Sequence, residues 1–142
     1  MKSPLLAVMH PTHALANRDS LSIKDLSGFP MINFSPQANP ITSDFNKQIF
    51  KKAGAQLNIV REIPNIETAA FCASINEGVF IMPEYLLSSI GSLRTVPLTD
   101  SFAYVTLNLI WKKKNPNISI PVFVDSFSTY IQNRNPNLAP AD

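Results

Sequence analysis

The chain has 142 residues, a length that suits one hydrophobic core, or one lobe and a piece of a second. Hydrophobic residues make up 45% and charged residues 15%; 12 basic and 10 acidic side chains leave a net charge of +2, too small a surplus for the basic stripe of a nucleic-acid surface. A single cysteine, Cys72, excludes an internal disulfide and suits a reducing compartment.

No apolar run reaches the roughly 20 residues that a membrane helix needs. The stretch Met1 to Met9 carries one lysine and ends at His10-Pro11, with no small-residue cleavage site following. A cytoplasmic protein without a membrane partner is expected. The longest basic run, Lys112-Lys113-Lys114, reads as a solvated strand end.

Taken in chain order, Pro4 to Met9 predicts a short strand, and His10 to Ala16 a turn-rich link. Leu21 to Leu26 predicts one or two helical turns closed by Gly28, and Phe29 to Phe34 a buried strand. Ser35 to Asn39 is a polar loop. Asn39 suits an N-cap and Pro40 the first turn of a helix, where its missing N–H costs nothing. Ile41, Phe45, Ile49 and Ala53 recur at four-residue spacing, which predicts the buried stripe; Gly54 closes the helix.

Leu57 to Ile63 predicts the next strand, broken by Pro64, and Asn65 can cap a second helix. Ile66, Ala69, Ala70 and Ala73 form a stripe of small residues, with Phe71 and Ile75 pointing elsewhere. A helix apolar on most sides is expected to be sandwiched. Asn76 or Gly78 ends it. Val79 to Met82 reads as a buried strand stopped by Pro83, Glu84 to Ile90 as a short helix, and Leu93 to Leu98 as a strand. Ala103, Val105, Leu107, Leu109 and Trp111 alternate with more polar neighbours, the two-residue period of a strand. Asn115 to Asn117 reads as a turn. Ser119 caps a final helix with Pro121 in its first turn and a stripe of Ile120, Phe123, Phe127, Tyr130 and Ile131. From about Asn133 a frayed tail is expected. Strands alternating with helices in this way imply parallel strands joined by right-handed crossovers.

Three stretches, in this order, resemble the sensing domain of LysR-type bacterial transcription regulators. His10-Pro11, Ala14-Leu15-Ala16 and Ile23-Lys24-Asp25-Leu26 are similar to the family's His-Pro-Leu-Ala and downstream Asp-Leu. Asn76-Glu77-Gly78-Val79-Phe80-Ile81-Met82-Pro83 is similar to its Gly-x-Gly, apolar, Leu-Pro passage. Leu107 to Lys112, with Trp111, resembles a late strand ending in aromatic and basic residues. The likeness covers nearly the whole chain and rests on order and spacing. Asn76 stands where the family often has glycine, and asparagine is the next-best residue at a left-handed helix end. Glu77 replaces a usually apolar residue.

The resemblance implies an α/β fold: a periplasmic-binding-protein-like lobe with a Rossmann-like parallel or mixed sheet and flanking helices, and an incomplete second lobe. It implies that residues 1–100 are the second lobe of an effector-binding domain. Residues 101–133 are then a returning strand and helix of the first lobe, and 134–142 a tail. Family members begin with a winged helix-turn-helix and a linker helix, neither of which is found in this sequence. DNA would be reached only through that missing N-terminal segment. The returning segment would lack the sheet it joins, so its apolar faces must fold back, dimerise or disorder. Family members pair their sensing domains, which implies a homodimer.

Ligands of open α/β sheets sit outside the carboxyl ends of strands, where helix N-termini present unpaired N–H groups and partial positive charge. The candidate effector-binding residues are Ser35, Pro36, Gln37, Asn39 and Thr42 at one junction, and Asn65, Ile66 and Thr68 at the other. The resemblance places these loops on a cleft between lobes, with a small carboxylate or other polar metabolite as guest. The plainer reading is that they cap helices and fill loops.

His10 and His13 stand three apart without a cluster of further ligands, so no metal is expected. Cys72 falls among apolar neighbours and reads as a buried inert thiol. Ser35 has no nucleophile-elbow pattern, and Glu67 and Glu84 read as isolated surface acids. No catalytic residue and no cofactor is expected. The leading functional expectation is a ligand-sensing fragment of a LysR-type regulator. The alternatives are a solute-binding protein fragment of related fold or a truncated gene product without independent function, with a small enzyme last.

Overall fold

The structure, a computed structural model, describes residues 2–112 and 116–134. Its strands are β1 (Lys2–Met9), β2 (Pro30–Phe34), β3 (Asn58–Ile63), β4 (Phe80–Pro83), β5 (Arg94–Pro97) and β6 (Tyr104–Thr106). Its α-helices are α1 (Pro40–Ala53), α2 (Ile66–Ser74) and α3 (Ser119–Arg134). Two 3-10 turns, Ile23–Leu26 and Glu84–Ser89, stand where short helices were expected.

The strands form a mixed arrangement. β1 lies between β4 and β5 and runs antiparallel to both, with Leu6 opposite Met82 and Ala7 opposite Val96. β6 also pairs with β1. β2 and β3 are parallel, with Phe34 opposite Ile63. A parallel bridge between Met31 and Val79 lays β2 along the chain entering β4; the Ile32 N–H donates to Val79 O at 2.8 Å, and the Val79 N–H to Pro30 O at 2.9 Å. The expectation of parallel strands therefore holds for β2, β3 and the entry to β4, and is corrected for β1. Alternation with helices fixes direction only between strands joined by a crossover. The ladder partners of β1 lie more than 70 residues away in sequence, and no crossover connects them directly.

Local chemistry explains the element ends. Gly54 closes α1 with φ +64°, and Asn76 follows α2 with φ +58°, the left-handed conformation its residue type tolerates. Gly78 answers to space instead. A Cβ there would lie 2.7 Å from Pro30 O, so only glycine lets the chain leaving α2 run this close to β2.

The residues 4–104 form one compact unit. Its core joins Val8 of β1, Ile32 of β2, Ile63 of β3, Phe80 and Met82 of β4, and Ala69, Cys72 and Ala73 of α2. Ala69 and Ala73 are small, which brings the helix axis close to the sheet. α2 is not sandwiched, however. Phe71 is 64% exposed, so only the alanine face is covered. The stripe expected of α1 is likewise corrected. Ile41 is 83% exposed, and the buried residues are Ser43, Asn46, Ile49 and Phe50. Ser43 and Asn46 are drawn to β2 by hydrogen bonds with Asn33.

Of the described residues, 2–3, 105–112 and 116–134 form a second unit. The strand expected from Ala103 to Trp111 ends at Thr106, and Ile110 and Trp111 are exposed. α3 forms as expected, with the rings of Phe123 and Phe127 stacked 5.7 Å apart, yet Phe123, Phe127 and Tyr130 are exposed. Asn133 and Arg134 continue this helix, where fraying was expected. The remainder of the expected tail, and Lys113, Lys114 and Asn115, lie outside the described residues.

Candidate functional site

The parallel pair β2 and β3 ends in two loops on the same edge. The Ser35 N–H, just past β2, donates to Ile63 O at the end of β3 at 2.8 Å. This bond ties the two strand-to-helix junctions together. α1 begins five residues after it and α2 begins at Ile66, so both helix N-termini rise from one end of the parallel pair.

The first junction is organised by its own side chains. Ser35 Oγ donates to Gln37 Oε1 at 2.7 Å and accepts the Gln37 N–H at 3.3 Å. The N–H groups of Ala38 and Asn39 donate to Ser35 O. Asn39 Oδ1 then accepts the Thr42 N–H at 3.1 Å, the cap expected from sequence, with Pro40 in the first turn. Pro36 and Thr42 are half-buried, and Gln37 is exposed. At the second junction Asn65 Oδ1 accepts both the N–H and the Oγ1–H of Thr68, at 2.9 and 2.8 Å. Ile66 is half-buried against the core. The caps satisfy one amide of each helix.

Electrostatically the edge is neutral at the first junction: α1 carries no acidic residue in its first turn, while Glu67 lies in the first turn of α2. No acidic side chain in its own first turn opposes the partial positive charge of the α1 N-terminus.

Beneath the first junction lies a set of residues that sequence reasoning missed. Asn33 of β2, Ser43 and Asn46 of α1 are all buried. Asn46 Nδ2 donates to Asn33 Oδ1 at 2.8 Å, and Asn33 Nδ2 to Ser43 Oγ at 3.4 Å. The available signal was Asn33 itself, a polar residue inside an otherwise apolar run. Such a residue needs a buried partner.

The other candidates separate from this edge. His10 Nδ1 pairs with Thr12 Oγ1, and His13 Nδ1 accepts the Leu15 N–H, so each ring is engaged locally. Burial also holds His13 below the ordinary histidine range. Among the described residues no group of three or more His, Cys, Asp or Glu side chains could hold a metal ion. Cys72 is buried and free, and burial pushes its thiol up, which disfavours the reactive thiolate. Arg61 of β3 pairs with Glu77; the hydrogen bond raises the guanidinium and lowers the carboxyl from their ordinary values. Glu77, unusual as an acid at its place, is thereby explained as a partner for β3. No helix among the described residues is long and apolar enough to cross a membrane.

Residues 1–130 match the family model of the LysR substrate binding domain. The chain is 26% identical over 115 residues to an uncharacterized HTH-type transcriptional regulator, YwbI of Bacillus subtilis, covering 80% of this chain and 38% of that one. Among solved structures it is similar to the effector binding domain of a BenM variant, with TM-score 0.83 and 18% identity, covering 95% of this chain and 64% of that one. It is also similar to the BenM effector binding domain with its effector benzoate, with TM-score 0.80 and 18% identity, covering 99% and 64%. The chain thus spans under two thirds of each of these proteins.

Proposed function

Since the chain belongs to the LysR substrate binding domain family, we propose that it is the ligand-sensing part of a LysR-type regulator and takes a small polar or anionic effector at the β2–β3 edge. Ser35, Pro36, Gln37, Asn39 and Thr42, with Asn65, Ile66 and Thr68, form one wall of an interlobe crevice. The single observation that carries this reading is the 2.8 Å bond from the Ser35 N–H to Ile63 O, which sets both junctions side by side on a parallel pair. A carboxylate there meets N–H groups of two helix N-termini and the side-chain amide of Gln37, and gains the Ser35 and Thr68 hydroxyl protons once these turn from Gln37 and Asn65. The solved relative that carries benzoate supports a small carboxylate as the first probe.

In this reading residues 1–100 are the second lobe and 101–133 the returning part of the first. The exposed apolar residues of α3 await the rest of that lobe. Effector binding would shift the balance between conformations of a paired regulator, and DNA would be contacted through an N-terminal helix-turn-helix of the parent chain. The test is calorimetric titration of a chain restored to both lobes with benzoate and related small carboxylates. Binding that weakens about ten- to hundredfold in Gln37→Ala and Thr68→Ala is expected, as loss of hydrogen bonds to a charged group costs ~1.5–3 kcal/mol. Equal affinity in wild type and both variants would reject this placement of the effector.

A further inference from the structure

α1 packs on β2 with a mixed face, burying Ser43 and Asn46 beside Ile49 and Phe50. At 100° per residue, the expected stripe of Ile41, Phe45, Ile49 and Ala53 is centred roughly 90° around the helix from the face that is buried. That face presents Ser43 and Asn46 to Asn33, while Ile41 is left in water. A quarter-turn roll would cover Ile41 and more of Phe45 but expose Phe50, so apolar burial alone fixes the roll only loosely. What opposes the roll is the directional chain from Asn46 through Asn33 to Ser43, whose members would lose their partners on rotation.

The location of this chain matters. Asn33 lies two residues before Ser35, and Ser43 lies one after Thr42. The Ser43 N–H donates to Asn39 O at 3.0 Å, so the same turn carries the cap. We propose that Asn33, Ser43 and Asn46 are positioning residues of the crevice: a buried polar latch that sets the roll of α1 on β2 and so aims the 35–42 segment. This rests on the effector-site reading above for its functional consequence, and on the packing alone for its physical part. Buried polar contacts of this kind select one register over its apolar competitor more than they add stability. Asn33 and Asn46 act through the loop and the cap, and are not themselves ligand contacts.

The experiment compares, in a chain with both lobes present, the wild-type sequence with the shape-matched double variant N33L/N46L and the single variant S43A. Three readouts are thermal midpoint, amide hydrogen exchange resolved by residue, and titration with benzoate. Leucine nearly matches asparagine in shape, and removing both partners leaves little unsatisfied, so the midpoint of the double variant stays within a few degrees. Exchange at Gln37, Ala38, Asn39, Thr42 and Ser43 rises about tenfold or more, while Ile49 to Ala53 keep their protection. Benzoate affinity falls by about the same factor as pre-organisation is lost.

Unchanged exchange at 37–43 overturns the latch. If the double variant does not fold, S43A decides: it breaks the same chain at a helix position that alanine suits, and exchange there rises about threefold or the proposal fails. Faster exchange with equal benzoate affinity in wild type and variant overturns the functional half, the aiming of the segment. Faster exchange together with a wild type that binds no benzoate leaves the latch standing and counts against the carboxylate reading. The two ideas therefore fail separately.

Discussion

α1 and α3 make an instructive pair. α3 has the more apolar sequence, with Phe123, Phe127, Tyr130 and Ile131 on its stripe, and it exposes most of that stripe. α1 is more polar, yet it buries Ser43 and Asn46 beside Ile49 and Phe50. The difference lies in what stands opposite. α1 has β2, whose Asn33 supplies complementary polar groups; α3 belongs to a unit whose described strand residues are Lys2, Ser3, Val105 and Thr106. Periodicity reports which face a helix could bury. Whether it is buried, and by how much polar contact, depends on residues far away in sequence.

The contrast can be broken most forcefully in the core. Ile32 is 2% exposed among Val8, Phe80 and α2, so Ile32→Ala costs ~2–5 kcal/mol in chemical denaturation. Phe127→Ala, at an exposed position of α3, costs under ~1 kcal/mol despite removing the larger side chain. Comparable losses in the two variants would mean that α3 is packed as tightly as β2.

A middle-sized effect is expected where backbone approaches backbone. Gly78→Ala puts a Cβ 2.7 Å from Pro30 O and forces β2 and the entry to β4 apart, at a cost of ~1–3 kcal/mol by the same measurement. A neutral Gly78→Ala would show that the two segments separate freely.

The smallest effect concerns pH. Asp25 accepts from the Ser22 N–H and Oγ at 2.7 Å each, and these bonds hold its carboxyl below the ordinary carboxylate range. The stabilisation is therefore present at neutral pH and lost as pH falls through the lowered folded-state value. Asp25→Asn should melt slightly below wild type near pH 7, with the gap closing below about pH 4. A gap that widens on acidification would contradict the cap geometry.

The sequence disclosed what short-range chemistry determines. Asn39, Asn65 and Gly54 announce their helix ends because a cap needs only its own neighbours, and Asn76 occupies the left-handed position its residue type allows. The two junctions were legible for the same reason. The antiparallel course of β1 was not, since its partners come from residues 80–83 and 94–97. Nor was the roll of α1, because the polar pairing with Asn33 spans 10 and 13 residues and competes with a more obvious apolar stripe. The alternation through Trp111 predicted a strand whose length depends on a neighbour, and the ladder stops at Thr106.

The claim on which the account turns is that one edge of a parallel pair receives the ligand. Residue-resolved amide shifts during titration with benzoate, on a chain with both lobes present, test it directly. Shifts concentrated at Ser35 to Thr42 and at Ile66 to Thr68 are expected, with α3 and the Arg61–Glu77 corner silent. Saturable shifts centred on α3 or on β5, with both junctions unmoved, would contradict it.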